Sequence, residues 1–170
     1  AYKYKADIDP YVLGLLLGDG CLTQNVGFTR HIDDRELDQA FIDSGHDLSF
    51  AKDNKHVGFR KCEAKSKLLA DLTRLKLLGT RSNTKFIPRQ YLYSSIESRI
   101  ALLQGMMDTD GYVCPDGKLY YTSVSEEMTN NLKELVQSLG GLSSISSKIG
   151  SYVDKFGERI MCQRAYTQYI

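Results

Sequence analysis

Apolar residues recur at helical spacing in two stretches of the chain that end in the same way. The stretches are VLGLLLGDG at residues 12–20 and LQGMMDTDG at residues 103–111. In each, small residues stand four apart, Gly14 with Gly18 and Gly105 with Thr109, so they would line one face of a helix. Such a face lets a second backbone approach closely. The pattern therefore predicts two helices that cross at their small residues.

The same order of elements follows each stretch: two strands, a helix and two further strands. Alternating and helical apolar spacing predicts helices over 10–18, 33–41, 65–78, 97–108 and 125–139. It predicts strands over 21–31 (broken at Gln24-Asn25), 46–51, 55–62, 112–114, 118–124, 142–150 and 158–166. Residues 80–95 are predicted as a connector. Since the two stretches lie 91 residues apart, counted from Asp19 to Asp110, this order indicates an internal duplication.

The duplication predicts an α+β protein of two αββαββ(α) halves related by a pseudo-twofold axis. The first half covers residues 1–95 and the second covers residues 96–170, in which no closing helix is predicted before Ile170. Such an arrangement would place the two repeated helices together at the axis, with one sheet on each side.

An acid ends each repeated helix, namely Asp19 in the first and Asp110 in the second. A carboxylate at a helix C-terminus is disfavoured by a few tenths to about 1 kcal/mol, and two neighbouring carboxylates repel each other. A hard divalent cation between them would remove that penalty, and Mg²⁺ prefers oxygen ligands. For one copy, an ordinary helix ending in an Asp-Gly turn would be an adequate explanation, whereas the repetition favours a metal site.

Composition excludes several other classes of function. The net charge of +1 indicates neither a basic nor an acidic partner. No apolar run is long enough to span a bilayer, and the charged N-terminus is not a signal peptide, which predicts a cytoplasmic protein, or a nuclear one in a eukaryote. The chain has no HExxH pair and no phosphate-binding GxxxxGK loop. Its four cysteines form no CxxC pair, which argues against structural zinc.

The paired motifs resemble those of the LAGLIDADG homing endonucleases, and the resemblance in pattern covers nearly the whole chain. Residues 85–88 (KFIP), followed by 102–112 (LLQGMMDTDGY), are most similar to endonuclease domains embedded in inteins. The resemblance implies a monomer whose two halves form a saddle over double-stranded DNA and cut both strands with Mg²⁺ or Mn²⁺. It implies that Asp19 and Asp110 are the catalytic metal ligands. Asp108 is not assigned as a ligand, because Leu17 occupies the equivalent position in the first copy.

The resemblance also assigns a catalytic role to Lys85, which precedes an apolar residue and an Ile-Pro pair as in the related intein enzymes. Lys85 would polarise the attacking water or stabilise the phosphate; the alternative is a solvated loop lysine. The second lysine of those enzymes lies beyond the last strands and is not reached in these 170 residues. An intein also begins with Cys or Ser and ends with Asn, so no splicing blocks are expected between Ala1 and Ile170.

In this family one face of each sheet reads DNA in the major groove, and alternation suggests which side chains would do so here. Lys118, Tyr120 and Thr122 would lie opposite Tyr121, and Arg60 opposite Val57 and Phe59, which are predicted core residues. The candidate DNA-binding residues are Lys52, Arg60, Lys61, Lys118, Tyr120, Thr122, Lys148, Arg159 and Gln163. Each could instead be an ordinary solvent-facing strand residue, and a shift of one residue would reverse every assignment.

The leading hypothesis is site-specific, metal-dependent cleavage of double-stranded DNA by an intein endonuclease domain. The alternative is a catalytically inactive or decayed LAGLIDADG module that binds nucleic acid, as an RNA maturase or a DNA-binding regulator does. Loss of one of the two acids would favour the alternative, and both acids are present.

Overall fold

A computed structural model describes residues 6–23, 26–46, 48–62 and 66–170, without the side chains of residues 50–52. The helices are α1 (Pro10–Leu17), α2 (Arg35–Asp43), α3 (Lys67–Arg74), α4 (Arg89–Leu92), α5 (Ile96–Asp110) and α6 (Glu126–Ser138). The strands are β1 (Gly20–Cys21), β2 (Gly27–His31), β3 (Leu48–Asp53), β4 (Val57–Cys62), β5 (Gly111–Val113), β6 (Leu119–Ser123), β7 (Ser144–Val153) and β8 (Arg159–Tyr169). The predicted turn at Gln24-Asn25 and the predicted helix start at Lys65 fall outside the described residues.

The strands form two antiparallel sheets with matching order, β1-β2-β4-β3 and β5-β6-β8-β7. The predicted α+β fold of two pseudo-symmetric halves is therefore confirmed. Several details differ from the sequence prediction, and the helix predicted over 65–78 already ends at Arg74. The connector contains the one-turn helix α4, and β7 and β8 are longer than predicted, so their hairpin greatly exceeds that of β3 and β4.

Helix α1 begins where the sequence places it and is buried almost throughout. The Asp9 carboxylate accepts hydrogen bonds from the backbone N–H groups of Tyr11 and Val12, and Pro10 occupies the first helical position. All the residues from Val12 to Leu17 are buried, because the helix passes through the middle of the molecule. An apolar surface on every side is what such a central helix requires.

Helices α1 and α5 cross backbone to backbone at two glycines. A Cβ atom on Gly14 would lie 2.5 Å from the carbonyl oxygen of Leu102, and one on Gly105 would collide with the carbonyl oxygen of Tyr11. One turn further on, a Cβ on Gly18 would collide with the side chain of Thr109. The small residues of the two motifs thus allow the close crossing that the sequence predicts.

The two sheets have equivalent registers. Gly20 pairs with Phe28 in the first half, as Gly111 pairs with Tyr121 in the second. Phe28 pairs in turn with Arg60, and Tyr121 pairs with Gln168. Arg60 and Gln168 therefore occupy equivalent positions, and both are buried.

The predicted orientation of β4 is wrong. Gly58, Arg60 and Cys62 are buried, whereas Val57 is 38% exposed and Phe59 is only partly buried. The alternation itself is correct but the faces are reversed, because Arg60 is neutralised inside the protein. Its guanidinium donates to the carboxylates of Asp38 and Asp53.

A second arginine completes this buried ion-pair network. Arg30, on the neighbouring strand β2, donates two hydrogen bonds to Asp38, at 2.7 and 2.6 Å. These arginines hold the pKa of Asp38 below its usual range, although burial alone would raise it. Buried charges persist when they are paired and hydrogen-bonded. Hydropathy alone could not reveal this pairing, since Asp38 lies on helix α2 and Asp53 on strand β3.

Candidate active site

Asp19 and Asp110 come together in one open pocket at the ends of α1 and α5. The crossing at Gly14 and Gly105 brings these two helix ends side by side. The pocket has a volume of about 440 Å³ and is lined by Leu17, Gly18, Asp19, Gly20, Ser82, Lys85, Asp110, Thr122, Ser123 and Val124. The structure thus unites the two acids and the lysine that the sequence singles out, although they lie in three separate parts of the chain.

The two carboxyl groups line the pocket, and the positive charge of Lys85 only partly offsets the cost of their negative charges there. Each is exposed on one side, but the surrounding protein partly desolvates it and so raises its pKa. The negative charge of Asp19 raises the pKa of Asp110 further. Lys85 opposes the shift in both acids without cancelling it. Two crowded carboxylates of this kind favour the binding of a cation.

Lys85 is buried and ends helix α1, so it is not a solvated loop lysine in this structure. Its ammonium group donates to the carbonyl oxygens of Leu16, Leu17 and Gly18 at 3.1, 2.9 and 2.7 Å. These carbonyls have no partner within the helix, and a cation also complements the negative end of the helix dipole. Burial lowers the pKa of Lys85 to about 8, while Asp110 and Asp19 act in the opposite direction.

The second half of the molecule holds Lys85 in place. The Ser125 hydroxyl donates to the Lys85 carbonyl oxygen at 2.6 Å and accepts from the Met128 N–H at the start of α6. Two residues after Lys85, the backbone N–H of Ile87 donates to the Asn131 side chain at 2.9 Å. The connector is therefore fastened to α6 while its lysine reaches the end of α1.

A second opening lies on the β1 side of Asp19. It has a volume of about 690 Å³ and is lined by Asp19, Gly20, Cys21, Leu22, Thr23, Thr80, Arg81, Ser82 and Lys85. Sequence reasoning missed Arg81, Ser82 and Ser123 as residues of the site and named Thr122 only as a DNA-binding candidate. Arg81 and Ser82 could have been found from the sequence, because they lie close to Lys85 along the connector. Ser123 could not, because only the fold brings it to the pocket.

Asp108 points away from this pocket, as expected from its lack of a counterpart in the first motif. Its carboxylate accepts a hydrogen bond of 2.8 Å from the Tyr11 hydroxyl. It lines a separate small cavity together with Tyr11, Asp34, Glu36 and Leu37. Asp108 and Asp110 therefore serve different surroundings, although they are two residues apart on one helix.

Most of the candidate DNA-binding residues of the second half share one open face of their sheet. Tyr121 is buried, and Tyr120 and Thr122 lie on the opposite face. Cross-strand pairing and alternation add Thr167 and Gln163 of β8 and Lys148 of β7 to that face. The register shift between Ile149 and Ser151 inserts one extra residue in β8. Arg159, which pairs with Val153, therefore lies on the opposite face, and its predicted place on the DNA-reading face is wrong. Lys118 precedes β6 in the turn and forms an exposed ion pair with Asp116.

In the first half the candidates are divided. Lys61 lies on the open face of β4 and is partly exposed, whereas Arg60 is buried in its ion-pair network. The prediction that Arg60 lies on the DNA-facing surface is therefore wrong. The side chain of Lys52 falls outside the described residues.

The donor groups at the pocket fit a hard divalent cation that keeps part of its water shell. Asp19 and Asp110 offer carboxylate oxygens, and Mg²⁺ in phosphate chemistry commonly uses one or two protein carboxylates together with phosphate oxygens and waters. Among the described residues, no three His, Cys, Asp or Glu side chains are grouped so as to hold a metal ion alone. The site therefore fits a metal that the substrate helps to bind.

None of the helices in the described part of the chain is long and apolar enough to cross a membrane.

Residues 97–162 match the LAGLIDADG-like domain family. A curated relative, the replicative DNA helicase DnaB of Mycobacterium intracellulare, is 28% identical over 141 residues, which are 83% of this chain and 20% of that protein. The chain therefore spans about one fifth of the length of the curated relative that it matches.

Solved structures show the same fold. The homing endonuclease I-DmoI in complex with DNA and calcium superposes with a TM-score of 0.61 and 15% identity, over 97% of this chain and 83% of that one. The N-terminal LAGLIDADG domain of DUF199/WhiA superposes with a TM-score of 0.58 and 10% identity, over 99% of this chain and 77% of that one. Residues 97–162 are thus similar to the LAGLIDADG-like domain family, and the whole chain shares the fold of the homing endonuclease I-DmoI.

Proposed function

We propose that this chain is a metal-dependent, site-specific DNA endonuclease that cuts both strands of its target. The observation that carries the proposal is the convergence of Asp19 and Asp110 in one open pocket, at the ends of two helices that cross through glycines. A protein that only bound nucleic acid would have no need for two crowded carboxylates there. Their repulsion is a cost that a metal ion and a phosphate together would remove.

In this proposal Asp19 and Asp110 hold Mg²⁺ or Mn²⁺, and Lys85 assists the reaction. Divalent metal in such a site can activate a water, neutralise the phosphate and stabilise the leaving oxygen. Lys85 keeps the end of α1 in place beside Asp19 and adds positive charge next to both acids. Support comes from I-DmoI, whose structures with target DNA were solved in the presence of manganese or magnesium.

The proposed partner is double-stranded DNA, bound by a monomer across the open faces of its two sheets. The residues that would contact the duplex are Lys61, Tyr120, Thr122, Lys148 and Gln163, with Lys118 at the edge. Arg and Gln side chains can form paired hydrogen bonds with guanine and adenine, and Lys contacts phosphates. The complex of I-DmoI with its target DNA supports this partner, because the two chains share the fold.

We further propose that the chain is the endonuclease part of an intein within a host protein of the cytoplasm or nucleus. The match to one fifth of a replicative helicase supports an insertion inside a longer polypeptide. DNA encoding an uninterrupted helicase of the same kind would then contain the target at the insertion point.

The test is cleavage of that uninterrupted helicase DNA by the purified chain, with Mg²⁺ or with EDTA. Double-strand cuts at one position, only with the metal, would support the proposal. The Asp19→Asn and Asp110→Asn variants should lose double-strand cutting while retaining binding. Asp108→Asn is the matched control, since it makes the same change on α5, the helix of Asp110, but outside the pocket.

Full cutting by either pocket variant would overturn the assignment of the site. Binding of this DNA without cutting under any metal condition would favour the second candidate, a DNA-binding module without catalysis. The similarity to the N-terminal LAGLIDADG domain of DUF199/WhiA favours that candidate, because that domain also shares the fold.

A further inference from the structure

The hydrogen-bond donors of the Lys85 side chain are fully used within the protein. A lysine ammonium group has three N–H donors. All three donate to backbone carbonyl oxygens, those of Leu16, Leu17 and Gly18, at 3.1, 2.9 and 2.7 Å. A hydrogen bond from Lys85 to a phosphate or to an attacking water would therefore require the loss of one of these bonds. Lys85 supplies position and charge to the site, but its donors are not available to a substrate.

Arg81 is the second cation at the site. Of the described residues that line the pocket or the second opening, only Lys85 and Arg81 carry a positive charge. Arg81 lines the second opening, on the β1 side of Asp19, and does not line the pocket that Asp19 shares with Asp110. The guanidinium is therefore placed on the Asp19 side of the site.

The backbone around Arg81 is held on both sides. Before it, the N–H group of Gly79 donates to the Leu22 carbonyl oxygen at 2.6 Å, which fastens the connector to the segment after β1. After it, the Arg81 carbonyl oxygen accepts from the N–H groups of Thr84 and Lys85, at 2.8 and 3.0 Å. The Thr84 hydroxyl also accepts from the Arg81 N–H at 2.9 Å. These bonds close a single turn, so the two cations lie one turn apart and line the same opening.

The side chain of Arg81, in contrast to its backbone, is available to a ligand. It is exposed, and within the part of the chain that the structure describes its guanidinium forms no hydrogen bond or ion pair. A guanidinium presents five N–H donors in a planar fork, which matches two oxygens of one phosphate group. A DNA phosphate in this opening would add its negative charge to that of Asp19, and Arg81 is placed to offset it.

We infer that Arg81, and not Lys85, donates hydrogen bonds to the DNA phosphate beside Asp19, while Lys85 is a positioning residue that holds the end of α1. This inference rests on the proposed function, since it requires DNA at the pocket. Because the pseudo-twofold axis relates Asp19 to Asp110, each acid would face one strand of the duplex. Arg81 therefore serves only the strand next to Asp19. It replaces the expectation that Lys85 itself contacts the phosphate or the attacking water.

The first measurement is binding of the uninterrupted helicase DNA by the full chain, without Mg²⁺. In a series of duplexes, a neutral methylphosphonate replaces one phosphate at a time around the insertion point. Arg81→Ala should bind the ordinary duplex about tenfold more weakly than the wild-type chain does. At one position of one strand, the methylphosphonate should weaken binding by the wild-type chain but not by Arg81→Ala, because that contact is already lost. At the same position, the effects of the methylphosphonate and of Lys85→Met should be additive.

The second measurement follows the cutting of each strand separately, with Mg²⁺ and with the protein in excess over DNA. Arg81→Ala should slow one strand about a hundredfold and leave the other nearly unchanged, so that nicked duplex accumulates. Arg81→Lys keeps the charge without the planar fork and should recover part of the rate.

Arg89→Ala is the matched control. It removes the same charge from the same connector, but Arg89 lines neither opening and lies over the Tyr93 ring. It should bind and cut like the wild-type chain. Arg81→Ala and Arg89→Ala should both melt at the wild-type temperature, since neither exposed guanidinium caps a helix, which separates a lost contact from a lost fold.

Equal slowing of both strands, or a binding change no larger than that of Arg89→Ala, would overturn the inference and leave the proposed function intact. A methylphosphonate effect that disappears in Lys85→Met instead would also overturn it and would make Lys85 the phosphate contact. If the wild-type chain binds this DNA without cutting it, the endonuclease proposal fails and the binding measurement still decides the inference. If the wild-type chain neither binds nor cuts this DNA, both fail.

Discussion

The ammonium nitrogen of Lys85 lies 2.7 Å from the carbonyl oxygen of Gly18, the residue directly before Asp19. One hydrogen bond thus connects the inter-repeat connector to the end of the first motif helix, next to a candidate catalytic acid. The same nitrogen also binds the Leu16 and Leu17 carbonyls, so Lys85 acts as a cap for α1 in addition to its charge. Since the connector is itself fastened to α6, this contact links the two halves across the site.

Replacing Lys85 by Met should lower both stability and activity. The variant leaves two buried carbonyl groups and one partly buried carbonyl group without their donor, and we expect the free energy of unfolding to fall by about 2 kcal/mol. Denaturant titration measures this loss. The control is Lys67→Met, which removes an exposed lysine paired with Asp71 and should change stability by less than about 1 kcal/mol. Equal losses in the two variants would contradict the capping role.

Stability of the metal-free chain should rise with pH through the titration of Lys85. Its pKa is about 8 in the folded chain, below the ordinary value of 10.5, because it is buried. The unfolded chain therefore binds more protons between these two values, and stability increases as pH rises across that window. The measurement compares the wild-type chain with Lys85→Met, in EDTA, at several pH values between about 7.5 and 10. A difference between the two chains that does not change with pH would contradict the assignment.

Asp19→Asn and Asp110→Asn should abolish double-strand cutting yet slightly stabilise the metal-free protein. Each carboxyl has a raised pKa, so its ionisation at neutral pH opposes folding, and a neutral amide removes that cost. The gain stays below about 1 kcal/mol, because both groups are open to solvent on one side. Thermal melts at pH 7 measure it. Added Mn²⁺ should raise the melting temperature of the wild-type chain but not of these variants.

Gly14→Ala should destabilise the protein far more than a typical glycine substitution. The new Cβ would lie 2.5 Å from the Leu102 carbonyl oxygen and 2.8 Å from the Met106 nitrogen, both backbone atoms that cannot move without separating the helices. We expect a loss of about 3 kcal/mol in the free energy of unfolding. Gly150→Ala is the control, since its Cβ would come no closer than 3.9 Å to another group, and it should be nearly neutral.

Arg60→Ala and Lys61→Ala, at adjacent positions of β4, should have opposite consequences. Loss of Arg60 removes the arginine partner of Asp53 and one of the two arginine partners of Asp38, and should cost about 3 kcal/mol of stability. Loss of Lys61, on the open face, should leave stability unchanged and weaken DNA binding. The slope of the logarithm of the binding constant against the logarithm of the salt concentration should become smaller by about one. Unfolding curves and binding titrations at several salt concentrations separate the two. A stable Arg60→Ala variant with weakened DNA binding would restore Arg60 as a contact residue.

The central features of the fold follow from the sequence because they depend on local pattern. Glycines four apart on an apolar helix allow a close backbone crossing, and an Asp-Pro pair before an apolar helical run favours a helix start there. The repetition of the motif then placed Asp19 and Asp110 at equivalent helix ends. The proximity of the two acids then follows from the predicted crossing of the two helices.

What only the tertiary structure decided concerns charges that are satisfied by distant partners. Alternation along β4 correctly placed Arg60 on the opposite face from Val57 and Phe59, but the polarity of arginine led to the wrong prediction that its face is exposed. The structure buries it because Asp38 and Asp53 come from other elements to neutralise it. Lys85 is a similar case: a lysine in a polar connector becomes a helix cap because the crossing brings the open carbonyls of α1 within its reach. Local patterns determine which residues share a face, whereas the partners available in the folded chain determine which face is buried.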